Sequence, residues 1–522
     1  MVPLKEIRRD MRCIANRILL SAIAFFLASL ALACRAKPQP VIGPVGPPIS
    51  EELIQAYVSQ GDESSQAMHL YAWRRAEAAY TQAFHLAARK EIRDKLALIK
   101  LLRMTREIDE DIACPTMRED IAFICQDTAD ARGQALCDLA TAYGMTPVAA
   151  VEQMKRVDPS VLQVDTSPLD AYFFMLYART FGSDPKNDDL KKRLPEKYKD
   201  TPLFAYLNFG SPKAPLARII EQSPDFAEAF EFSAESDFQR NLVKPARTGF
   251  SKALSLIPDY TRAINGLANI YFFTLEDYES ALKTYEAALQ WDPQNTAALF
   301  GQGAALHNLD RYQDSNKALD LMLASDLSRN GRVGANSIQY YRGEAYYYKA
   351  YNYDSMKDPA RARELIDLAK HELPLEGEIN YLSGLLYFNA GQLVAAKADF
   401  QKVLRSGKNC YAYYYLGMID LKRGGPTTAA MFLSSSSCLE TSLSSYQARI
   451  RSLSRLDIEP SEKQALQLRM EMKLIGYRDS SAGLIQHMIG WIRESSIELN
   501  WKQTFMDSMN NLLAKVQSIS VK

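Results

Sequence analysis

The chain has 522 residues, with 62 Lys+Arg against 62 Asp+Glu and a formal net charge of zero. Hydrophobic residues make up 47% of it, enough for a large core, while 24 Gly and 23 Pro are too few for a disordered or collagen-like chain. Balanced charge excludes the basic excess needed to bind nucleic acid by counterion release, and five histidines leave little material for a metal or general-base enzyme.

At the N-terminus Lys5, Arg8, Arg9, Arg12 and Arg17 form a basic segment, followed from Ile18 to Ala33 by an apolar run of about 16 residues. A run this short falls below the ~20 residues that cross a bilayer and fits the core of a secretory signal. It ends in Ala31-Leu32-Ala33-Cys34-Arg35, where Ala31 and Ala33 satisfy an A-x-A cleavage rule and a cysteine stands next. This junction resembles a bacterial lipoprotein signal. The resemblance implies loss of residues 1–33, lipidation of Cys34 and, with Arg35 rather than aspartate following, an outer-membrane protein facing the periplasm. An ordinary signal with an incidental cysteine and a retained membrane anchor are the alternatives. Pro38, Pro40, Pro44, Pro47 and Pro48 make residues 34–50 an extended tether. A helical pattern opens behind it, with Ser50 as N-cap and Glu51 and Glu52 in the first turn.

Residues 51–226 read as divergent helical repeats, with second-helix spacing at Ala76, Tyr80 and Ala83 and a terminal proline at Pro224. Farther along, the self-similarity is plain. Ala246, Phe250, Ala253 and Pro258 recur as Ala281, Tyr285, Ala288 and Pro293, and again as Ala362, Ile366, Ala369 and Pro374. Small residues stand in mid-helix at Ala234, Ala268, Gly303, Gly343, Gly384 and Gly417, flanked by bulky ones such as Ile264, Leu267 and Tyr271. Small residues let paired helices approach, bulky ones fill the flanks, and proline re-aims the chain into the next pair. One pair cannot cover its own apolar face, so pairs must stack.

In this pattern the chain resembles the tetratricopeptide repeat (TPR), most strongly in "AINGLANIYFFTLEDYESALKTYEAALQWDP" within Thr261 to Asn295. The resemblance implies an all-α solenoid over 227–443 with six units starting near Ala227, Thr261, Thr296, Asn336, Gly377 and Cys410. Two insertions, near Asn330 to Ala335 and Tyr351 to Lys357, are expected at turns. Residues 444–522, with polar helices over Ser461 to Ile475 and Ser481 to Glu494, read as the cap that a solenoid needs.

Cys13 would leave with the signal and Cys34 would carry lipid. In an exported chain the other cysteines invite disulfides. Cys410 and Cys438 fall at neighbouring ends of an antiparallel helix pair, and one bond among Cys114, Cys125 and Cys137 would leave an odd thiol; unpaired small hydrophobes are the alternative. No C-x-x-C, H-E-x-x-H, G-x-S-x-G or Walker-type loop occurs, and Gly301-x-Gly303 sits inside a repeat helix. Glu107 with Asp109-Glu110-Asp111 reads as a solvated carboxylate face. The expectation is no enzyme, no cofactor and no metal.

In TPR arrays the first helices line the concave face. Taking the second, fifth, ninth and twelfth positions of each unit, give or take one, as inward, that face gathers Glu231, Phe238, Arg262, Asn265, Asn269, Phe272, Phe300, His307, Tyr340, Glu344, Tyr347, Tyr381, Phe388, Tyr411 and Tyr414. Tyr and Phe offer rigid contact area and hydroxyls, and Asn265 and Asn269, one turn apart, suit the backbone of an extended peptide. Tyr340, Tyr347 and Tyr414 are the leading groove residues, although a one-residue slip would bury such aromatics in the core. The reading is a non-enzymatic envelope scaffold holding a protein or peptide partner in an aromatic groove; the alternative is a lipoprotein that captures a small molecule or glycan.

Overall fold

The computed structural model describes residues 50–110, 112–126, 128–144, 153, 201–207, 216–325, 335–423, 427–494 and 499–519. The expected signal, Cys34, the expected tether up to residue 49 and Asp111 lie outside these residues, as do most of 145–200 and the first insertion. The chain divides into Met1–Ala56 and Tyr57–Lys522. In the first unit, Ser50 caps the helix that follows, its Oγ accepting from Leu53 N–H at 3.2 Å.

The described residues are helical throughout, without a strand. Before the repeats come α1 (Glu51–Gln66), α2 (Leu70–Leu86), α3 (Lys90–Asp109), α4 (Met117–Ile124), α5 (Ala131–Tyr143), α6 (Pro202–Leu207) and α7 (Leu216–Gln222). Ala76, Tyr80 and Ala83 lie buried on one stripe of α2, and Trp73 is fully enclosed beside them.

Six hairpins follow: α8 (Ala227–Gln239) with α9 (Val243–Leu256), α10 (Thr261–Asn269) with α11 (Tyr278–Trp291), α12 (Thr296–Asn308) with α13 (Tyr312–Ala324), α14 (Ala335–Ser355) with α15 (Pro359–Glu372), α16 (Gly377–Asn389) with α17 (Leu393–Ser406), and α18 (Cys410–Lys422) with α19 (Thr428–Ser452). Asn295 and Asn409 open α12 and α18 as N-caps, each accepting from a backbone N–H three residues on at 2.9 Å.

Each of the first five hairpins turns on one residue in the left-handed region: Asn241, Glu276, Asp310, Lys357 and Gly391. In four of these turns an N–H reaches back five residues, as from Arg311 to Leu306 and Gln392 to Tyr387, both at 2.9 Å. The second turn spans six, from Asp277 to Tyr271, because Ile270–Thr274 winds as a π-helix that holds one extra residue. That residue makes this unit 35 residues long, from Thr261 to Asn295.

The small residues of the first helices sit where second-helix side chains cross. A Cβ on Gly303 would come 2.6 Å from Leu319, and one on Gly384 or Gly417 would come 2.8 Å from Phe400 or 2.5 Å from Phe432. Gly266 and Gly301 serve the joint between successive hairpins, where a Cβ would stand 2.3 Å from Phe250 and Tyr285 respectively. Close backbone approach at both joints makes the stack continuous.

Two expectations need correction. The second insertion is not a loop: α14 runs on through Tyr351 to Ser355, so the added residues lengthen a first helix by more than a turn. The C-terminal segment is more than a polar end cap. Helices α20 (Pro460–Glu494) and α21 (Leu499–Gln517) pack on α19, and α20 also reaches the opposite end of the array. There Glu462 accepts from Arg247 at 2.7 Å, Arg469 donates to the Leu275 carbonyl at 2.6 Å, and Lys473 meets Glu276 at 2.6 Å. Apolar side chains of 227–275 and of 410–519 thus form one core, including Phe250, Tyr260, Phe432, Met470 and Ile485. The last hairpin is tied back to the first two.

Candidate functional site

The lengthened α14 carries three of the residues expected on the inner face, Tyr340, Glu344 and Tyr347. Tyr340, Glu344, Tyr347 and Tyr351 follow at steps of four, three and four residues, so they share one helix face. Tyr340 and Tyr351 are exposed to 49% and 42% of their area, whereas Tyr347 is half-buried. Next to them α16 presents Glu378 and Tyr381, and α18 presents Tyr411, whose ring lies 6.3 Å from that of Tyr381. On the other side Tyr348 meets Phe300 at 5.8 Å and His307 at 5.0 Å, and His307 meets Tyr351 at 4.9 Å. Ring contacts thus join α12 to α14 and α16 to α18, and α14 and α16 share one core through Ala350, Ile379 and Leu382, with Tyr347 packed against it. Burial holds the His307 imidazole below its usual pKa despite its Nδ1 contact with Asn352 at 2.7 Å. Glu344 is pushed up to about 7, by burial first and then by the carboxylates of Glu376 and Glu378.

Other predicted groove residues are used within the fold. Tyr414 is a core residue, 8% exposed, stacked 6.1 Å from both Phe432 and Trp491, because α20 and α21 cover this face of the last hairpin. Asn265 donates to Asn295 at 3.2 Å, and Asn269 accepts from the Tyr285 hydroxyl at 2.7 Å, so both amides brace neighbouring helices rather than wait for a peptide. Phe272, in the π-helix, packs on Phe273 and Tyr278 at 4.8 and 5.2 Å. Phe388 lies 5.0 Å from Tyr415 beneath the Lys422 ammonium, and Phe300 stands between Tyr341 and Tyr348. Tyr348, Tyr351, Glu376 and Glu378 were missed. Glu378 occupies the second position of its unit, and Tyr351 continues the α14 stripe one turn past the twelfth position, so the register itself held the signal for both.

Of the cysteines, Cys125 is bonded to Cys137 and Cys410 to Cys438, leaving Cys114 as the free thiol among the described residues. Burial pushes the Cys114 thiol up to about 12, despite the nearby Arg103 guanidinium, which leaves it protonated and unreactive.

The carboxylates of α3 are not a solvated face. Glu107, Asp109 and Glu110 are buried at 2%, 6% and 3% exposure. Arg103 binds Glu77, Glu107 and Asp120 at once, and Lys100 adds contacts of 2.9 Å to Glu77 and 2.7 Å to Asp120. Arg106 bridges Glu110 at 2.8 Å and Glu228 at 3.2 Å, while Arg74 joins Glu107 at 2.7 Å and Asp259 at 2.6 Å. Arg262, expected in the groove, is held by Glu110 at 3.0 Å and Glu231 at 3.2 Å. The Tyr260 hydroxyl also donates to Glu110 at 2.7 Å. These pairs fasten α2 and α3 to the first two hairpins, which makes the network a structural joint.

Among the described residues no helix is long and apolar enough to cross a membrane, and no group of His, Cys, Asp and Glu is disposed to hold a metal ion.

Residues 261–295 match the tetratricopeptide repeat family model. That tetratricopeptide repeat lies inside a stack of like helical hairpins, which gives the chain an all-α solenoid fold. Solved structures similar to parts of it include Pseudomonas aeruginosa pilF, at 18% identity over 47% of this chain and 97% of that one, with a TM-score of 0.35. YrrB, described as a TPR protein with an unusual peptide-binding site, is 20% identical over 36% of this chain and 90% of its own, at a TM-score of 0.28. A tetratricopeptide repeat protein from Parabacteroides merdae is 16% identical over 57% of this chain and 98% of its own, at a TM-score of 0.33. No curated protein matches the sequence.

Proposed function

We propose that this chain is a non-enzymatic scaffold of the bacterial cell envelope, anchored by lipid on Cys34 in the outer membrane and facing the periplasm, that holds a protein or peptide partner along its inner aromatic face. The observation that carries the reading is the set of rings on α12, α14, α16 and α18, with Tyr340 and Tyr351 of α14 and Tyr411 of α18 open to solvent. Rigid aromatic area of this kind binds at low cost in side-chain entropy, and tyrosine adds a hydroxyl. The side chains that most resemble catalytic material, the α3 carboxylates and Cys114, are enclosed in the ion network. The anchor rests on the sequence at Ala31 to Cys34.

The test is recovery of a partner from detergent-solubilised envelopes. Replacing Tyr340, Tyr347 and Tyr351 together with alanine is expected to abolish recovery of a partner that co-purifies with the unaltered chain; unchanged recovery contradicts the groove. Saturable heats with oligosaccharides in place of a partner would move the assignment to glycan capture. For the anchor, Cys34→Ser is expected to shift the protein from the membrane to the soluble fraction, and membrane retention of that variant contradicts lipidation.

A further inference from the structure

This inference rests on the reading that the inner face holds a peptide, and names the atom that reads its backbone. We propose that His307 accepts, through a bare Nε2, a backbone N–H of an extended peptide crossing α12 and α14, its tautomer preset by a buried hydrogen-bond chain.

The chain starts at a group whose role is fixed. The Gly303 carbonyl can only accept, and Ser315 gives it its one hydroxyl proton at 2.8 Å. Ser315 Oγ must then accept from Asn352, so the amide nitrogen of Asn352 faces it, at 2.9 Å. That nitrogen gives its second proton to Asn316 Oδ1 at 2.8 Å. What Asn352 turns toward His307 is therefore its oxygen, 2.7 Å from Nδ1. An amide oxygen has no proton to give, so Nδ1 carries one, and Nε2 is left as the acceptor of the neutral ring. Ser315 and Asn352 are fully buried, which keeps water from competing for these bonds. Burial also lowers the His307 pKa, against Asn352 and Asp310, and so favours the neutral ring.

Nε2 has no hydrogen-bond partner among the described residues, and it is not sealed from solvent. Beside it stand the rings of Tyr348 and Tyr351, at 5.0 and 4.9 Å from the imidazole. Their hydroxyls are likewise without a partner among the described residues. Burial pushes the Tyr348 hydroxyl up to about 12, so it keeps a proton to donate. This part of the inner face thus offers one atom that only accepts, next to hydroxyls that can donate. A peptide unit, with its N–H and C=O, answers both. A carboxylate or phosphate brings no proton for Nε2, and an ammonium brings no acceptor for the hydroxyls. The lengthening of α14 makes the arrangement possible, because Tyr351 and Asn352 both lie in its added turn.

The first measurement needs no ligand. It is nitrogen NMR of the full chain in detergent micelles with isotope-labelled histidine, His307→Phe identifying the signals. At about pH 7.5, a unit above the ordinary histidine value, Nδ1 is expected to carry the proton and Nε2 to be bare. A proton on Nε2, or a mixture of both tautomers, overturns the proposal. The second measurement uses a peptide of about ten residues selected by display on the full chain, then remade with each backbone nitrogen methylated in turn. One methylation is expected to weaken binding at least about tenfold in the unaltered chain and less than about twofold in His307→Phe, the coupling of a double-mutant cycle. Phenylalanine keeps a flat ring against Tyr348 and Tyr351, and circular dichroism verifies the fold; His307→Leu replaces it should that variant unfold. Absence of any methylated position that couples to His307 overturns the assignment. If the selected peptide nevertheless loses binding in Tyr340→Ala/Tyr347→Ala/Tyr351→Ala, the acceptor falls and the groove stands. If it does not, or if selection returns no peptide, both fall.

Discussion

Arg103→Ala is expected to lower the stability of the folded chain by about 3–5 kcal/mol, the range for removing one partner from a buried ion pair. Arg103 is 7% exposed, and its guanidinium is the shared partner of Glu77, Glu107 and Asp120. Desolvation alone would lower its pKa, but Glu107, Glu77 and Asp120 outweigh this and hold it above the usual value. Without it, three enclosed carboxylates keep only Lys100 and Arg74. Arg103→Lys, with one ammonium where a fork is needed, should fall between the two. Urea unfolding followed by circular dichroism measures the loss, and a change under about 1 kcal/mol would show the network to be dispensable.

The same network sets an acid limit. Burial raises the Asp120 pKa, but the hydrogen bond from Lys100 and the charge of Arg103 more than offset this, so the folded-state value is depressed. A depressed carboxylate contributes stability above its unfolded pKa and loses it as pH falls through the folded value. Stability from this residue is therefore intact at neutral pH and fades below about pH 4.

Phe432→Ala is the second large effect, again about 3–5 kcal/mol for a fully buried aromatic. Phe432 fills the space that Gly417 leaves open and stacks on Tyr414, which in turn stacks on Trp491 of α20. Because the core of 410–519 continues into 227–275, the damage should not stay in the last hairpin. Hydrogen exchange is expected to quicken both in α18 to α21 and in α9 to α11. Loss of protection confined to α18 and α19 would contradict the tie between the two ends of the array.

Much of the architecture was legible because it is local. The mid-helix glycines, the Ala-aromatic-Ala stripes and the closing prolines each report a crossing or a turn within about forty residues. The first helices begin at Ala227, Thr261, Thr296, Ala335, Gly377 and Cys410, at or within a residue of the positions that spacing marks. What stayed hidden depends on partners far along the chain. Glu107 and Glu110 look like a solvated run until Arg74, Arg262 and Tyr260 close over them. Tyr414 fits a groove register until α20 returns across the last hairpin. Asn265 and Asn269 look free until Asn295 and Tyr285 arrive from the next helices. The tyrosine-rich site itself was half visible: the register marked Tyr340, Glu344, Tyr347, Tyr381 and Tyr411, but reading Tyr351 to Lys357 as a turn removed Tyr351 from view.

The most direct measurement places a photo-crosslinking amino acid at Tyr351 on the inner face, with Val394, exposed on a second helix, as the comparison site. Irradiation of intact envelopes, followed by mass spectrometry of the joined peptides, is expected to give a protein adduct from Tyr351 and not from Val394. Adducts that form equally from both positions would contradict the account.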